Sequence, residues 1–122
     1  MDKYGLGPKG EDYALELLRD RGHRLLERNF RCPHGEIDLV TWHKDTLVFV
    51  EVRTHAPQPG RSPADTVNRA KQQRIIRTAK WYVAKRWGNR PLPFIRFDVV
   101  WLHADGPKIT GGGVLEGAFC TR

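Results

Sequence analysis

The chain has 122 residues, enough for one domain with a core of its own. Its mean hydropathy of −0.57, and the want of any apolar run of membrane-spanning length, exclude a helical membrane protein. Its two cysteines, Cys32 and Cys120, stand far apart, which excludes a zinc-ribbon spacing and a disulfide framework. The formal net charge of +7 points to a polyanion such as nucleic acid, with a generic basic surface as the alternative. Met1–Gly5 lacks the apolar stretch of a secretory leader behind it, so the cytoplasm is the expected compartment.

In chain order, Gly7-Pro8-Lys9-Gly10-Glu11 opens a helix whose Ala14, Leu17 and Leu18 recur at helical spacing and which Gly22 stops. A short strand around Arg24 to Phe30 follows. Two stronger strand patterns come next, Glu36 to Thr41 and Thr46 to Val52, joined by Trp42-His43-Lys44-Asp45, short enough for a hairpin turn. Ala56 to Pro63 reads as a Pro/Gly/Ser-rich loop, Ala64 to Trp87 as one long helix with Gly88 after it, and Phe94 to Leu102 as a last strong strand. From Ala104 onward, with Gly111-Gly112-Gly113, the expectation is a loop followed by a possible short edge strand. The sum is one α/β domain spanning 1–122, a central mixed β-sheet flanked by helices.

The hairpin carries the chemistry. A turn centred on His43-Lys44 sets Asp38 opposite Phe49 and Glu36 opposite Glu51. Alternation then gives one face to Glu36, Asp38, Val40, Leu47, Phe49, Glu51 and Arg53, and the other to Ile37, Leu39, Val48, Val50 and Val52. A sheet apolar on both faces is covered on both. Asp38 and Glu51 are therefore expected at the rim of a buried region, on diagonal positions roughly 7–8 Å apart. Like charges so placed repel and are poorly solvated, and a divalent cation relieves both penalties. Mg²⁺ suits such oxygen ligands, and beside a phosphodiester it activates water and stabilises charge on the phosphate. The other open reading is an ion-pair cluster in which the acids serve Arg53 and neighbouring basic residues.

On the long helix, Gln72, Ile75, Ile76, Ala79, Tyr82 and Val83 fall on one arc, while Arg69, Lys71, Arg74, Arg77, Lys80 and Lys85 are assigned to the other. The second arc is a basic stripe with few acids, which fits phosphate contact. An ordinary solvated helix face is the alternative. Gln72, a polar member of the apolar arc, is expected either to cap loop backbone or to reach the metal site or scissile phosphate. The histidines show no metal-ligand spacing, although Cys32-Pro33-His34 lies next to the acids. The tryptophans are expected in packing, and Asp98 is expected to pair with Arg96 or with a helix residue.

Gly7-x-x-Gly10-Glu11, Asn29-Phe30-Arg31, Gly35-Glu36-Ile37-Asp38-Leu39, Val48-Phe49-Val50-Glu51-Val52, Lys71-Gln72 and Arg96-Phe97-Asp98-Val99-Val100 together resemble the YraN-like family of bacterial proteins. The resemblance runs in order from Gly7 to Val100. That family looks like a branch of the PD-(D/E)xK nuclease superfamily, similar in fold to archaeal Holliday-junction resolvases. The resemblance implies a restriction-endonuclease-like core, Mg²⁺ or Mn²⁺ as cofactor, DNA as partner and a homodimer.

Position by position, it implies that Glu11 is an accessory acid, Asp38 the metal-bridging carboxylate and Glu51 the second carboxylate, with the Val52 carbonyl a further metal ligand. Position 53 would carry the lysine that serves the attacking water. Here it is Arg53, which stays protonated and so contacts phosphate rather than acting as a base. His55 likewise replaces a basic residue of the pattern. Lys71, at the start of the long helix, is a candidate source of the missing amine. Three functional classes follow: a metal-dependent endonuclease, a nuclease-like protein that only binds nucleic acid, and a protein–protein adaptor whose basic stripe meets an acidic partner.

Overall fold

The structure is a computed structural model that describes residues 7–54 and 59–120. Helix α1 (Gly7–Asp20) leads into strands β1 (Arg24–Cys32), β2 (Gly35–His43) and β3 (Thr46–Arg53), then helix α2 (Arg69–Tyr82) and strands β4 (Phe94–Asp105) and β5 (Lys108–Phe119). The five strands form one sheet in the order β1-β2-β3-β4-β5. Hairpin neighbours run antiparallel, and only β3 and β4, joined through the α2 crossover, run parallel. This is a mixed sheet with one helix on each face, an α/β fold with a restriction-endonuclease-like core. No helix among the described residues is long and apolar enough to cross a membrane.

The alternating strand pattern creates two cores. Ala14, Leu15 and Leu18 of α1 pack on Leu39, Val48, Val50, Val100 and Leu102. Ile75, Ile76, Ala79 and Tyr82 of α2 pack on Val40, Leu47, Phe49, Phe97 and Val99 of the opposite face. Helix α1 ends as its glycine requires. Gly22 takes φ 93°, its N–H donates to the Arg19 carbonyl at 2.9 Å, and the His23 N–H donates to the Leu18 carbonyl at 3.0 Å.

Four expectations are corrected. The hairpin turn is Lys44-Asp45, both left-handed at φ 48° and 63°, with His43 paired to Thr46 and Val40 paired to Phe49. The register is thus two residues from the expected one, which preserves most faces but moves Asp38 from a diagonal to the position facing Glu51. Ile37 does not share the face of Leu39. It packs with Val40 in the α2-side core. The cause lies across the strand pair, where Asn29 is left-handed at φ 53° between Arg28, paired with Leu39, and Phe30, paired with Ile37. One such residue resets the alternation of both strands, and asparagine tolerates that conformation better than most side chains.

The expected long helix is divided. A 3-10 turn over Pro63–Thr66, capped by Ser62, precedes α2, which starts where the Asn68 side chain accepts the Lys71 N–H at 2.8 Å. At its far end the helix widens into a π turn, Val83–Trp87.

The glycine-rich tail is strand rather than loop. Gly113 pairs with Trp101, and a Cβ on Gly113 would lie 2.4 Å from the Trp101 ring. One on Gly112 would lie 2.4 Å from the Trp101 carbonyl. The glycines therefore permit close approach of the last strand to β4, where their propensity alone argues against a strand.

A polar cluster joins the turn after α1 to the sheet. Asp98, fully buried, accepts from Arg96 Nε at 2.8 Å, and its other oxygen accepts from Arg96 Nη2 at 3.0 Å. Arg96 also donates to His43 Nδ1 at 3.1 Å, which places the His43 proton on Nε2, the donor to the Arg21 carbonyl at 3.1 Å. His23 stacks on His43 at 4.1 Å and meets the Thr41 hydroxyl through Nδ1.

His23 Nε2 is buried with no partner. Burial, the neighbouring His43 and then Arg96 push the His23 pKa down to about 4 from 6.5. A depressed histidine favours the folded state fully above its unfolded value and loses that stability as the pH falls through the window from 6.5 to 4. This one group is expected to cost on the order of 3 kcal/mol at most across the window. His23→Gln should flatten the acid limb of a urea-midpoint titration, and an unchanged slope would refute the assignment.

Candidate active site

The last main-chain pair between β2 and β3 is Leu39 with Val50. Beyond it the strands part, and Asp38 and Glu51 face each other across the opening. The Asp38 carboxylate takes over the lost pairing, its Oδ2 accepting the Val52 N–H at 2.8 Å. Across the opening Asp38 faces Glu51, whose charge acts on it. Burial and then the charge of Glu51 push the Asp38 carboxyl well above the usual carboxylate range, with Glu11 adding to the rise and the Val52 N–H opposing it.

Glu51 is 5% exposed. Its Oε2 lies 2.6 Å from Lys71 Nζ on α2 and 3.5 Å from Arg53 Nη1. Glu11, on the first turns of α1, is held by Arg28 Nη2 and Asn29 Nδ2, both donating to its Oε1 at 3.2 Å. The left-handed Asn29 therefore does two things: it turns Ile37 into the core and presents its own amide to Glu11.

The structure places Asp38, Glu51 and Arg53 side by side, Glu11 at the neighbouring β1 rim, and Lys71, the candidate amine, against Glu51. That lysine was assigned to the outer basic stripe, yet it is half-buried and turned toward the sheet. The signal was present in the helical projection, since Lys71 precedes the buried Ile75, Thr78 and Tyr82 by four, seven and eleven residues. Arg28, and the role of Asn29 beyond its place in a motif, escape the sequence because nothing local marks a bent strand.

Gln72 donates its side-chain amide to the Val67 carbonyl at 3.0 Å, the loop-capping alternative. Val52 engages the site through its N–H. His34 lies edge-on to Trp81 at 5.8 Å, and His55 falls outside the described residues. Arg69, Arg74, Arg77 and Lys80 remain on the exposed face of α2, where none of them makes an ion pair among the described residues.

The donor set at Asp38 and Glu51 consists of hard carboxylate oxygens, with Glu11 close by. Among the described residues no cation pairs with Asp38, whose carboxylate accepts the Val52 N–H. These features fit a small divalent cation. A second group of potential ligands, His23, His43 and Glu116, does not fit one. Imidazole lone pairs lie in the ring plane, and these two rings are stacked 5° from parallel at 4.1 Å, so their planes do not meet at a common ion.

The profile of a family described as uncharacterised protein family UPF0102 matches residues 10–102. The chain belongs to that family, the YraN-like group. A UPF0102 protein of Moorella thermoacetica is 43% identical over 123 residues, covering 98% of each chain. One from Syntrophotalea carbinolica is 43% identical over 106 residues, covering 87% of this chain and 85% of the relative. One from Caldanaerobacter subterraneus is 36% identical over 110 residues, covering 90% and 88%. The family match begins at Gly10 and ends at Leu102, so it takes in every acid of the site and Lys71.

A carboxyl raised by burial and a like charge costs stability at neutral pH, a cost that shrinks as the pH falls and the group is protonated. Asp38→Asn removes the charge and keeps an acceptor for the Val52 N–H. In the presence of chelator it should raise stability by about 1 kcal/mol, read as a higher melting temperature. A lower melting temperature would show that the carboxylate is structural.

Proposed function

We propose that this protein is a divalent-metal-dependent endonuclease that hydrolyses phosphodiester bonds in DNA. The observation that carries the reading is the facing pair where β2 and β3 part, a half-buried Asp38 opposite a buried Glu51. Lys71 and Arg53 balance Glu51, but Asp38 has no cation of its own among the described residues, and a costly charge left so is what a cation-binding site retains for function. Asp38 and Glu51 would hold Mg²⁺ or Mn²⁺, Glu11 would support them, and the Val52 carbonyl is a further candidate ligand. Such an ion lowers the pKa of a bound water and stabilises negative charge developing on phosphate.

The chain's own residues do the remaining work. Arg53, fixed near Glu51, presents donors to a non-bridging phosphate oxygen. The exposed Arg69, Arg74, Arg77 and Lys80 follow the backbone away from the scissile bond. The presence of arginine at position 53 favours a second reading, in which the protein binds DNA and does not turn over. Incubating the intact protein with branched, duplex and single-stranded DNA in Mg²⁺ or Mn²⁺ decides between them. Cleavage abolished by chelator supports hydrolysis, and binding without cleavage under every condition supports the second reading.

Glu51→Gln should abolish the heat of Mg²⁺ binding in calorimetry while leaving DNA affinity nearly unchanged, and a titration equal to that of the wild type would remove the metal site. If the four exposed cations of α2 each meet a phosphate, the logarithm of DNA affinity should fall with the logarithm of salt at a slope near −3.6 from these contacts. Each charge-removing substitution should reduce the magnitude by about 0.9. A slope indifferent to all four would place the DNA on another face.

A further inference from the structure

We propose that Trp81 is a stacking platform for an unpaired base, so that the DNA taken along helix α2 carries a single-stranded segment. The proposal rests on the nuclease reading for the identity of the polymer and adds to it the class of substrate. Trp81 follows Arg74 by seven residues and Arg77 by four, and it precedes Lys85 by four. Such spacing sets the indole in line with three exposed cations on one flank of the helix. Lys85 Nζ stands 5.5 Å from the centroid of the ring.

The other indoles are accounted for by packing. Trp42 and Trp87 stack on each other at 5.6 Å, Arg90 covers Trp87 at 3.8 Å, and Trp101 lies against the glycines of β5. Trp81 packs partly on the α2-side core and is otherwise half-exposed among charges. Its indole N–H is open to solvent and has no hydrogen-bond partner among the described residues. The turn between β1 and β2 comes up beside it: a Cβ on Gly35 would lie 3.2 Å from Thr78 Oγ1 and 3.9 Å from Arg74 Cβ. The exposed His34 of that turn stands edge-on to Trp81 at 5.8 Å and 62°. The two rings form an aromatic corner bordered by Arg74, Arg77 and Lys85.

Cations alone hold any phosphate backbone, paired or unpaired. A duplex keeps its bases stacked inside and leaves an exposed indole without a partner. An unpaired strand presents the flat face of each base, and proteins that take such strands interleave aromatic rings with positive charge. A base entering the corner displaces the Lys85 ammonium from the ring, a contact that is weak at an exposed site, and leaves that ammonium beside the adjoining phosphates. Ten residues separate Trp81 from Lys71, which lies against Glu51. This is about 15 Å of helix axis, the length of roughly four stacked nucleotides. A strand stacked at Trp81 therefore reaches the carboxylate pair along the cations of α2.

The test measures affinity of the intact protein in chelator, so that neither metal nor cleavage enters. The probes are single-stranded oligothymidine, the same backbone with abasic sites at its centre, and a duplex of equal length. Trp81→Leu keeps an apolar side chain for the core and should weaken oligothymidine binding roughly 5–150-fold, the loss expected of one stacked base. Trp81→Phe should bind it within about threefold of the wild type, since a flat ring remains. Duplex affinity should hold within about twofold in both, and the salt dependence should not change, because no charge is removed. Wild-type protein should bind the abasic strand more weakly than oligothymidine, a comparison that requires no variant to fold. Equal losses on single strand and duplex overturn the proposal, as does an abasic strand bound as tightly as oligothymidine, and both leave the nuclease reading standing. Failure of the wild type to bind any DNA overturns both.

Discussion

Everything at the site depends on one opening in the sheet. β2 and β3 are paired through Leu39 and Val50, and one residue further the main chains no longer meet. A strand pair that ends in the interior leaves N–H groups needing partners. Asp38 supplies one to Val52, and in doing so its half-buried carboxylate is fixed beside Glu51. The same break that satisfies the backbone therefore concentrates negative charge. Glu51 is balanced by Lys71 and Arg53, and Glu11 by Arg28 and Asn29, but Asp38 has no cation partner among the described residues.

The two helices have unequal tasks. Helix α1 covers one face and brings Glu11 to the rim, where residues of β1 hold it in place. Helix α2 covers the other face and projects in two directions: its sheet-facing stripe begins with Lys71, and its outer face carries four cations without an ion pair among the described residues. The charge of the chain is therefore not a uniform coat. One part of it enters the carboxylate site, and another lies open to solvent alongside.

The hairpin acids and the mixed sheet were legible because strand alternation is a strong local signal. The register was not, because Lys44 and Asp45 adopt a left-handed turn without the glycine that normally marks one. The bend at Asn29 was hidden for a similar reason: a single left-handed residue inside a strand leaves the sequence pattern almost unchanged while reversing the side of Ile37. Lys71 was misplaced because its charge was weighed above its helical phase. The family resemblance rested on motifs that, Gly7 aside, lie within the region that the UPF0102 profile matches.

The close fit of Gly112 and Gly113 against Trp101 reaches beyond the last hairpin. β5 is an outer edge of the sheet, where side chains are ordinarily free to vary and where charged residues discourage strangers from adding a strand. A methyl group on either of these two glycines would lever the margin away from its neighbour. At these two positions the solvent-facing border is consequently as intolerant of drift as the interior.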